Sequence, residues 1–374
     1  MRILHLSSDY LPDARVEKSA WSARKAGHEV YFAGPGVRGY HLSANPFADV
    51  QRIEWDRSSR MGVPIAWRRV RKQLAHVMKK TAPDIVHAHN IFSAQLAHEM
   101  HLPMIYDDHE YWSMMRKAEL EGWVRDSLHS PPRVLHHLIR RYGGWLWKRW
   151  ESRVIPDVPT ITVCEETAKA HSERGGRIVL VVPNLPSEKE VREITPPNKK
   201  DAPLAAVTIG NDFTTPMRIR DSRFLLPIFA SASFGQLTVF GDRALDSCTN
   251  VRSVKSMPHL AMLRELSNYH VGIIGWKPHW FHTFCNPNKA YEYMQTGLVP
   301  VVPSTLTPVL RMCDGFAKAF SNYDELTQLL RAFTANLDEV NESRTKIYAF
   351  SRSALVWERY EERILEAYAR VSRT

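Results

Sequence analysis

One stretch of this chain joins polar side chains to the start of a helix in a way that suits anion binding. Residues 286 to 302 have the sequence NPNKAYEYMQTGLVPVV. Pro287 suits the first turn of a helix, Lys289 and Glu292 lie three positions apart on one helical face, and Gly297 ends the helix before an apolar strand. Because a helix N-terminus attracts negative charge, the segment is a candidate anion site. A capped surface helix with an ordinary ion pair is the alternative.

A second group of titratable residues, Asp107, Asp108, His109 and Glu110, follows an apolar strand pattern. Open α/β sheets bind ligands beyond the carboxyl ends of their strands, so such a loop is a candidate site. Four titratable groups in a row are costly to bury unless each has a partner or a shifted pKa. The alternative is a solvated acidic turn that caps a helix.

Two histidines precede this group in another strand pattern. His87 and His89 alternate along the strand and therefore face the same side. Two histidines at this spacing can bind a metal, but the sequence shows no third ligand, and we favour a hydrogen-bonding role at the strand end.

The elements that must position these residues alternate between strand and helix, which predicts parallel sheets covered by helices. Two Rossmann-like halves follow from this pattern. The predicted strands are Arg2–Ser7, Glu29–Ala33, Ile85–His89, Met104–Asp107, Thr160–Val163, Ile178–Val182, Leu204–Ile209, Gln236–Phe240, His270–Ile274 and Val299–Val302.

The domain boundaries are placed by composition. A segment from Asn184 to Pro203 carries four prolines and alternating charges, which suits a linker. Apolar residues recur at helical spacing from Ser351 to Val371 and predict a terminal helix. We therefore expect a first domain at residues 1–185, a linker at 186–203, a second domain at 204–350 and a final helix within 351–374.

The 286–302 segment resembles the donor-binding helix of GT-B glycosyltransferases, particularly those of family 4. Further pieces of the sequence match the same family in order: PDARVEK at 12–18, AGHEV at 26–30, PDIVHAH at 83–89, YDDHE at 106–110 and VPN at 182–184. The resemblance implies the α/β GT-B fold, with two Rossmann-like domains facing each other across a cleft and a C-terminal helix that crosses back to the first domain. It also implies sugar transfer from a nucleotide-diphosphate donor, with no metal or other cofactor and, in most members, with retention of configuration.

The resemblance assigns roles residue by residue. Lys289 and Asn288 would meet phosphate, and Glu292 would bind the ribose hydroxyls. The family's second glutamate, eight positions earlier, is Phe284 here. Gly210 and Asn211 match a glycine turn facing the donor, and either Arg218 or Arg220 would neutralise the departing diphosphate. The turns at Gly241 and Lys255 match those near the base.

In the first half, the resemblance places His109 beside the transferred sugar. Arg15 and His89 fall on the acceptor side, although a salt bridge of Arg15 with Asp13 or Glu17 is equally compatible with the sequence. If the enzyme inverts, Asp107, Asp108 or Glu110 becomes the candidate general base.

Composition bounds the class of protein. The chain has 374 residues, of which 44% are hydrophobic, and this suits two domains. No apolar run approaches the ~20 residues that span a bilayer, and the N-terminus lacks the apolar stretch of a signal peptide, so we expect a cytoplasmic protein. The four cysteines lie far apart, and we expect them to be reduced and buried. They are Cys164, Cys248, Cys285 and Cys313.

The formal charge of +10 lies mostly in the first half. Between Arg57 and Lys80 there are eight Lys or Arg residues and no Asp or Glu, on a helix pattern with an apolar stripe at Trp67, Val70, Leu74, Val77 and Met78. A tract at 140–150 mixes Trp145, Trp147 and Trp150 with positive charge. Together they favour a peripheral enzyme on an anionic membrane, acting on a lipid-linked or cell-surface glycan acceptor. A packed helix with a basic outer face is the alternative.

Two other functions are compatible with these observations. A nucleotide-sugar epimerase on the same fold would convert the donor alone. Nucleic-acid binding is suggested only by the positive charge, because no recognised motif accompanies it, and we expect no nucleic-acid partner.

Overall fold

The structure, a computed structural model, describes residues 1–37, 45–121, 131–201, 203–210, 218–231, 234–241 and 249–371. The chain divides into two compact units. One comprises Met1–Pro183 together with Tyr360–Thr374, and the other comprises Asn184–Arg359.

The first unit is built on a parallel sheet whose described strands lie in the order β3-β2-β1-β4-β5-β6-β7. These strands are β1 (Arg2–Ser7), β2 (Glu29–Gly34), β3 (Asp49–Arg52), β4 (Ile85–His89), β5 (Met104–Asp108), β6 (Thr160–Thr162) and β7 (Val179–Val181). Its helices are α1 (Ala14–Lys25), α2 (Arg57–Arg60), α3 (Pro64–Thr81), α4 (Asn90–Glu99), α5 (Trp112–Glu121), α6 (Pro131–Asp157), α7 (Glu165–Glu173) and the C-terminal α15 (Glu361–Val371).

The second unit repeats the plan with strand order β10-β9-β8-β11-β12-β13 among its described residues. Its strands are β8 (Leu204–Ile209), β9 (Gly235–Gly241), β10 (Val251–Lys255), β11 (Val271–Ile273), β12 (Val299–Pro303) and β13 (Lys318–Phe320). Its helices are α8 (Glu188–Val191), α9 (Leu225–Ser231), α10 (His259–Leu266), α11 (Asn288–Gln295), α12 (Thr307–Met312), α13 (Tyr323–Ala335) and α14 (Leu337–Ala354), with 3-10 helices at Arg218–Arg220, Trp280–Phe284 and Trp357–Tyr360.

All ten predicted strands are present, with ends that differ by at most a residue or so. The sequence did not reveal β3, β10 and β13, which have the sequences DVQR, VRSVK and KAF. Each of the three lies at an edge in the order of the described strands: β3 ends the first sheet, and β10 and β13 end the second. An edge strand is covered less, so it carries too few apolar residues to stand out as a pattern.

The proposed linker at 186–203 packs on the second unit instead of running free. Tyr348 and Arg344 on α14 donate hydrogen bonds to the carbonyl oxygens of Ile194 and Asn198, at 2.7 and 2.8 Å. Arg344 is 1% exposed, so its side chain lies inside the second unit. Prolines in this segment therefore shape an ordered part of the second unit.

The final helix begins later than predicted. α14 ends at Ala354, and Leu355, Val356 and Trp357 are buried in a break that apolar periodicity alone cannot distinguish from a helix. α15 then returns to the first unit, where Glu361 accepts hydrogen bonds from Ser22 at 3.0 Å and Lys25 at 2.9 Å on α1.

The core of the first unit explains the apolar stripe of α3. Val70, Leu74 and Val77 are buried in one hydrophobic core with residues of the sheet and with Trp147 and Trp150 of α6. The stripe is therefore not a lipid-facing surface, and the packed-helix alternative is correct for it. Among the described residues, no helix is long and apolar enough to cross a membrane. Three of the cysteines, Cys164, Cys285 and Cys313, are buried and form no disulfide among the described residues, and Cys248 lies outside those residues.

Candidate active site

In the first unit, parallel pairing brings polar side chains to one edge of the sheet. Ser7 of β1 is in register with His89 of β4, and His89 is in register with Asp107 of β5. The loop after β1 leads to α1, whose N-cap Asp13 accepts hydrogen bonds from the backbone N–H groups of Arg15 and Val16. This cap fixes Arg15 in the first turn of α1, above the same edge.

Arg15 and Asp107 form a buried, forked ion pair. Arg15 Nη2 lies 2.7 Å from Asp107 Oδ1, and Arg15 Nε lies 3.1 Å from Oδ2. The side chains are 6% and 1% exposed. Arg15 Nη1 also donates to the carbonyl oxygen of Val182 at 2.8 Å. Burial would raise the pKa of Asp107, but the adjacent Arg15 and His109 hold it well below its usual value, so the carboxylate is ionised.

Histidines surround this carboxylate. Asp107 Oδ2 lies 3.3 Å from His87 Nε2, 3.4 Å from His109 Nε2 and 3.5 Å from His89 Nδ1. A chain of imidazoles runs inward from the edge, with 3.0 Å between His109 Nε2 and His89 Nδ1, and 2.8 Å between His89 Nε2 and His5 Nδ1. His5, His87 and His89 are fully buried, whereas His109 is 17% exposed.

The surroundings shift the pKa values of these histidines in opposite directions. Burial lowers the pKa of His87, and burial together with neighbouring histidines lowers the pKa values of His5 and His89 further. Burial would also lower the pKa of His109, but the Asp107 carboxylate outweighs it and the pKa is raised. The charged imidazolium is therefore favoured at the solvent-facing end, and neutral rings are favoured inside.

Hydrogen bonds orient the neutral rings. Tyr368 of α15 lies with its hydroxyl 2.7 Å from His87 Nδ1, so the ring can accept there and donate from Nε2 to Asp107. His109 Nε2–H faces Asp107 and His89, and no described residue is a hydrogen-bond partner of its Nδ1. The exposed N–H of an imidazolium is thus available to a ligand.

Two groups of side chains in the described part of the chain are close enough to share a metal ion. They are His5, His87 and His89, and His89, Asp107 and His109. In the first group, both nitrogens of His87 and the facing nitrogens of His89 and His5 already have hydrogen-bond partners. In the second group, Arg15 already supplies the positive charge that Asp107 needs.

The other acidic candidates of the first unit differ from Asp107. Both oxygens of Asp108 are used inside the unit, by Tyr106 Oη at 2.7 Å and His171 Nε2 at 2.7 Å, and the carboxylate is fully buried. This geometry favours a structural role for Asp108 over contact with a substrate. Glu110 is partly exposed at the start of the loop to α5.

In the second unit, α11 carries the polar residues that the sequence predicted. Lys289 Nζ donates to the carbonyl oxygen of Ile209 at 2.9 Å, at the end of β8. Glu292 Oε1 lies 2.9 Å from His259 Nε2, and the glutamate side chain is 11% exposed. Gly272 of β11 permits this placement, because a Cβ there would lie 2.2 Å from the Tyr293 ring of α11. Asn288 is exposed at the first position of the helix.

An indole ring brings two cations of this unit together. Lys289 Nζ lies 5.1 Å and Arg220 Cζ lies 5.4 Å from the centroid of the Trp276 ring. Cations over an indole face are attracted by its π electrons. The structure thus gathers Arg220 and Lys289, which are far apart in sequence, at the ends of β8 and β11.

The remaining predicted donor residues are placed as follows. Gly210 is exposed after β8 with φ +114°, a conformation that favours glycine. Gly241 is buried at the end of β9, and Lys255 is exposed at the end of the neighbouring β10. Asn211 lies outside the described residues, as does the side chain of Arg218.

Sequence reasoning missed several members of these clusters. His5, His259, Trp276 and Tyr368 lie on different elements or loops of the chain and match no motif. His5 alone carried a signal, because it is a polar residue in an otherwise apolar strand, RILHLS. Its meaning depends on the pairing of β1 with β4, which places it opposite His87.

Comparison with known proteins places these clusters in a fold. No curated protein sequence matches the chain. The solved structures include a sucrose-phosphate synthase from Thermosynechococcus elongatus with TM-score 0.70, 10% identity and 100% coverage of both chains. A glycosyltransferase from Rickettsia africae has TM-score 0.66, 11% identity and coverage of 100% of this chain and 99% of its own. HepE from Anabaena, solved in complex with UDP-glucose, has TM-score 0.66, 11% identity and coverage of 99% and 100%.

These likenesses extend over both units and show the GT-B fold. Residues 16–185, most of the first unit, match the model of Glycosyltransferase Family 4. The chain therefore has the GT-B fold, as the sequence predicted, and most of its first unit is similar to the family 4 glycosyltransferase domain.

Proposed function

We propose that this enzyme transfers a sugar from a nucleotide-diphosphate donor to a lipid-linked or cell-surface glycan acceptor, with retention of configuration and without a bound metal. The observation that carries the donor half is the convergence of Lys289 and Arg220 on Trp276, beside the N-terminus of α11. An arginine, a lysine and oriented backbone N–H groups are the set that stabilises charge developing on a diphosphate leaving group.

The sugar end of the donor is assigned to the first unit. The raised pKa of His109, due to Asp107, favours an imidazolium whose Nδ1–H can donate to a sugar hydroxyl. Glu292, held by His259, is assigned to the ribose hydroxyls. The complex of Anabaena HepE with UDP-glucose supports a nucleotide sugar as the class of donor for this chain as well.

A thermal-shift screen of UDP-, GDP-, ADP- and dTDP-sugars tests this proposal. A ligand that binds the folded state at about 100 times its Kd stabilises it by ~2.7 kcal/mol, so one nucleotide class should raise Tm clearly above the others. Product analysis without any acceptor should show the donor unconverted, because conversion would indicate an epimerase. No response to any nucleotide sugar, together with salt-sensitive binding of nucleic acid, would overturn the proposal.

The acceptor half includes a membrane surface. Arg68, Arg69, Arg71 and Lys72 are exposed on α3, and Ile65 at its start is 82% exposed. Of the three tryptophans in α6 only Trp145 is exposed, at 54%, so the apolar anchors are fewer than the sequence indicated. Each basic residue near an anionic bilayer contributes ~1 kcal/mol. Anionic vesicles should therefore sediment the protein, and neutral vesicles should do so much less.

A further inference from the structure

A cavity of about 470 Å³ in the first unit belongs to none of the clusters described above. Its lining combines arginines with large aromatic rings. The lining includes Trp55, Arg57, Arg60, Trp112, Arg116 and Arg140, and the only carboxylate among the described lining residues is that of Asp56.

The acidic groups near this cavity are fewer than its cations. Glu119 lies 2.6 Å from Arg116 and 3.5 Å from Arg140, and Asp9 lies 2.8 Å from Arg60. Asp56 is bound to Arg69, which does not line the cavity. Arg57 is exposed and has no ion-pair partner among the described residues. A positive potential therefore remains inside the cavity.

The cavity lining is rich in hydrogen-bond donors. Each guanidinium carries five N–H groups and no acceptor, so a ligand rich in acceptor oxygens would be stabilised here. Arg116 lies over the Trp147 ring at 4.7 Å, which holds its guanidinium in place.

A second cavity of about 580 Å³ adjoins the first and is mostly apolar. The two share Arg57, Met61 and Ile139 in their linings. Exposed apolar side chains border the second cavity, with Val63 at 44%, Leu135 at 60% and Tyr142 at 48% exposure. The same part of the surface thus passes from an arginine-lined pocket to an open apolar groove.

We infer that these cavities hold the acceptor through a phosphate group and an attached apolar chain. The phosphate would lie among the arginines, which bind phosphate oxygens in a fork, and the chain would lie in the groove beside Leu135 and Tyr142. The first cavity is close to the catalytic edge of the sheet, because Trp112 begins α5 three residues after His109 and Arg60 binds Asp9, just after β1. The assignment to an acceptor rests on the proposed transferase function, whereas the binding site itself does not.

Calorimetric titration with geranyl diphosphate, inorganic pyrophosphate and geraniol tests the inference without any donor. Geranyl diphosphate should bind, and pyrophosphate and geraniol should bind much more weakly. Arg57→Gln and Arg116→Gln should each weaken geranyl diphosphate binding by roughly tenfold. Arg153→Gln, on the exposed face of α6, is the matched control and should not change it.

Each outcome has a definite meaning. Equal affinities for pyrophosphate and geranyl diphosphate would overturn the lipid-linked form and indicate a soluble phosphate source. Wild-type affinity in both arginine variants, or no binding of geranyl diphosphate, would overturn the site. Arg57 is exposed, so its variant remains informative if Arg116→Gln does not fold. A wild-type protein that binds geranyl diphosphate but no nucleotide sugar would contradict the transferase proposal and leave this site intact.

Discussion

The polar clusters of the two units are built in opposite ways. In the first unit, Arg15, Asp107 and the inner histidines are almost entirely buried and are one another's partners. In the second unit, Lys289 is partly exposed and contacts a backbone carbonyl and an aromatic face, and Gly210 and Lys255 are exposed at the ends of β8 and β10. A substitution that removes Arg15 or Asp107 leaves the other charge buried and unpaired, whereas a substitution at Lys289 leaves its neighbours open to water. Substitutions in the first cluster should therefore lower the stability of the fold, and substitutions in the second should affect ligand binding with little loss of stability.

The largest expected effect comes from Asp107→Asn. The substitution leaves the Arg15 guanidinium buried without its counter-charge, and breaking such a pair typically costs ~3–5 kcal/mol. Urea unfolding followed by circular dichroism would measure it. The control is Asp49→Asn, which breaks the exposed 3.0 Å pair with Lys80 and should cost ~0–1 kcal/mol.

A double variant sharpens this prediction. Arg15→Met combined with Asp107→Leu removes both charges, so it should recover part of the stability lost in Asp107→Asn, because no charge is left unpaired. A loss of stability in Asp107→Asn no greater than in Asp49→Asn would show that the burial of the pair has little energetic weight.

The second effect concerns His109, the partly exposed member of the first cluster, which we assign to the transferred sugar. His109→Ala should lower kcat by roughly a hundredfold and change donor affinity little, because the residue is assigned to the sugar in the transition state. The raised pKa gives a pH test. The imidazolium is fully present below the ordinary value of 6.5 and is lost as the pH rises through the raised value, so wild-type kcat should fall over that range.

The His109→Gln variant tests whether the charge of His109, and not only its hydrogen bond, supports turnover. The amide can still donate a hydrogen bond but does not titrate, so its residual kcat should be independent of pH over the same range. A wild-type kcat in His109→Ala, or the same pH profile in His109→Gln, would contradict the assigned role.

The same contrast explains what the sequence could predict. Lys289 and Glu292 lie on one helix and form a local pattern, so the spacing on α11 was sufficient to find them. The buried cluster depends instead on which strands are neighbours: His5 meets His89 because β1 pairs with β4, and Tyr368 reaches His87 from the other end of the chain. Periodicity predicts strands but not their order, so His89 and His109 were found as separate candidates and their connection was not.

The ion-pair partner of Arg15 could not be predicted from the sequence for a related reason. Arg15 had acidic residues two positions away on either side, yet its buried ion pair is with Asp107, 92 positions along the chain. Asp13 is used instead as the cap of α1. A short acidic side chain before a helix satisfies backbone N–H groups that have no other acceptor, and this leaves the arginine to the carboxylate inside.

The smallest expected change in stability, and the sharpest test of the contrast, comes from Lys289→Ala and Glu292→Gln. Lys289 is partly exposed, so its loss should leave Tm near the wild-type value. Hydrogen bonds to charged groups are worth ~1.5–3 kcal/mol, so donor affinity should fall by about ten- to a hundredfold. Glu292→Gln keeps the shape of the side chain that faces His259 but removes its charge, and it should lower donor affinity less than Lys289→Ala does.

Calorimetric titration with the nucleotide sugar selected by the thermal screen would measure both affinities. Lys318→Ala, at an exposed position of β13, is the control. If both variants kept wild-type donor affinity, α11 would be a structural helix, and the distinction between a buried cluster that stabilises and a partly exposed cluster that binds would fail.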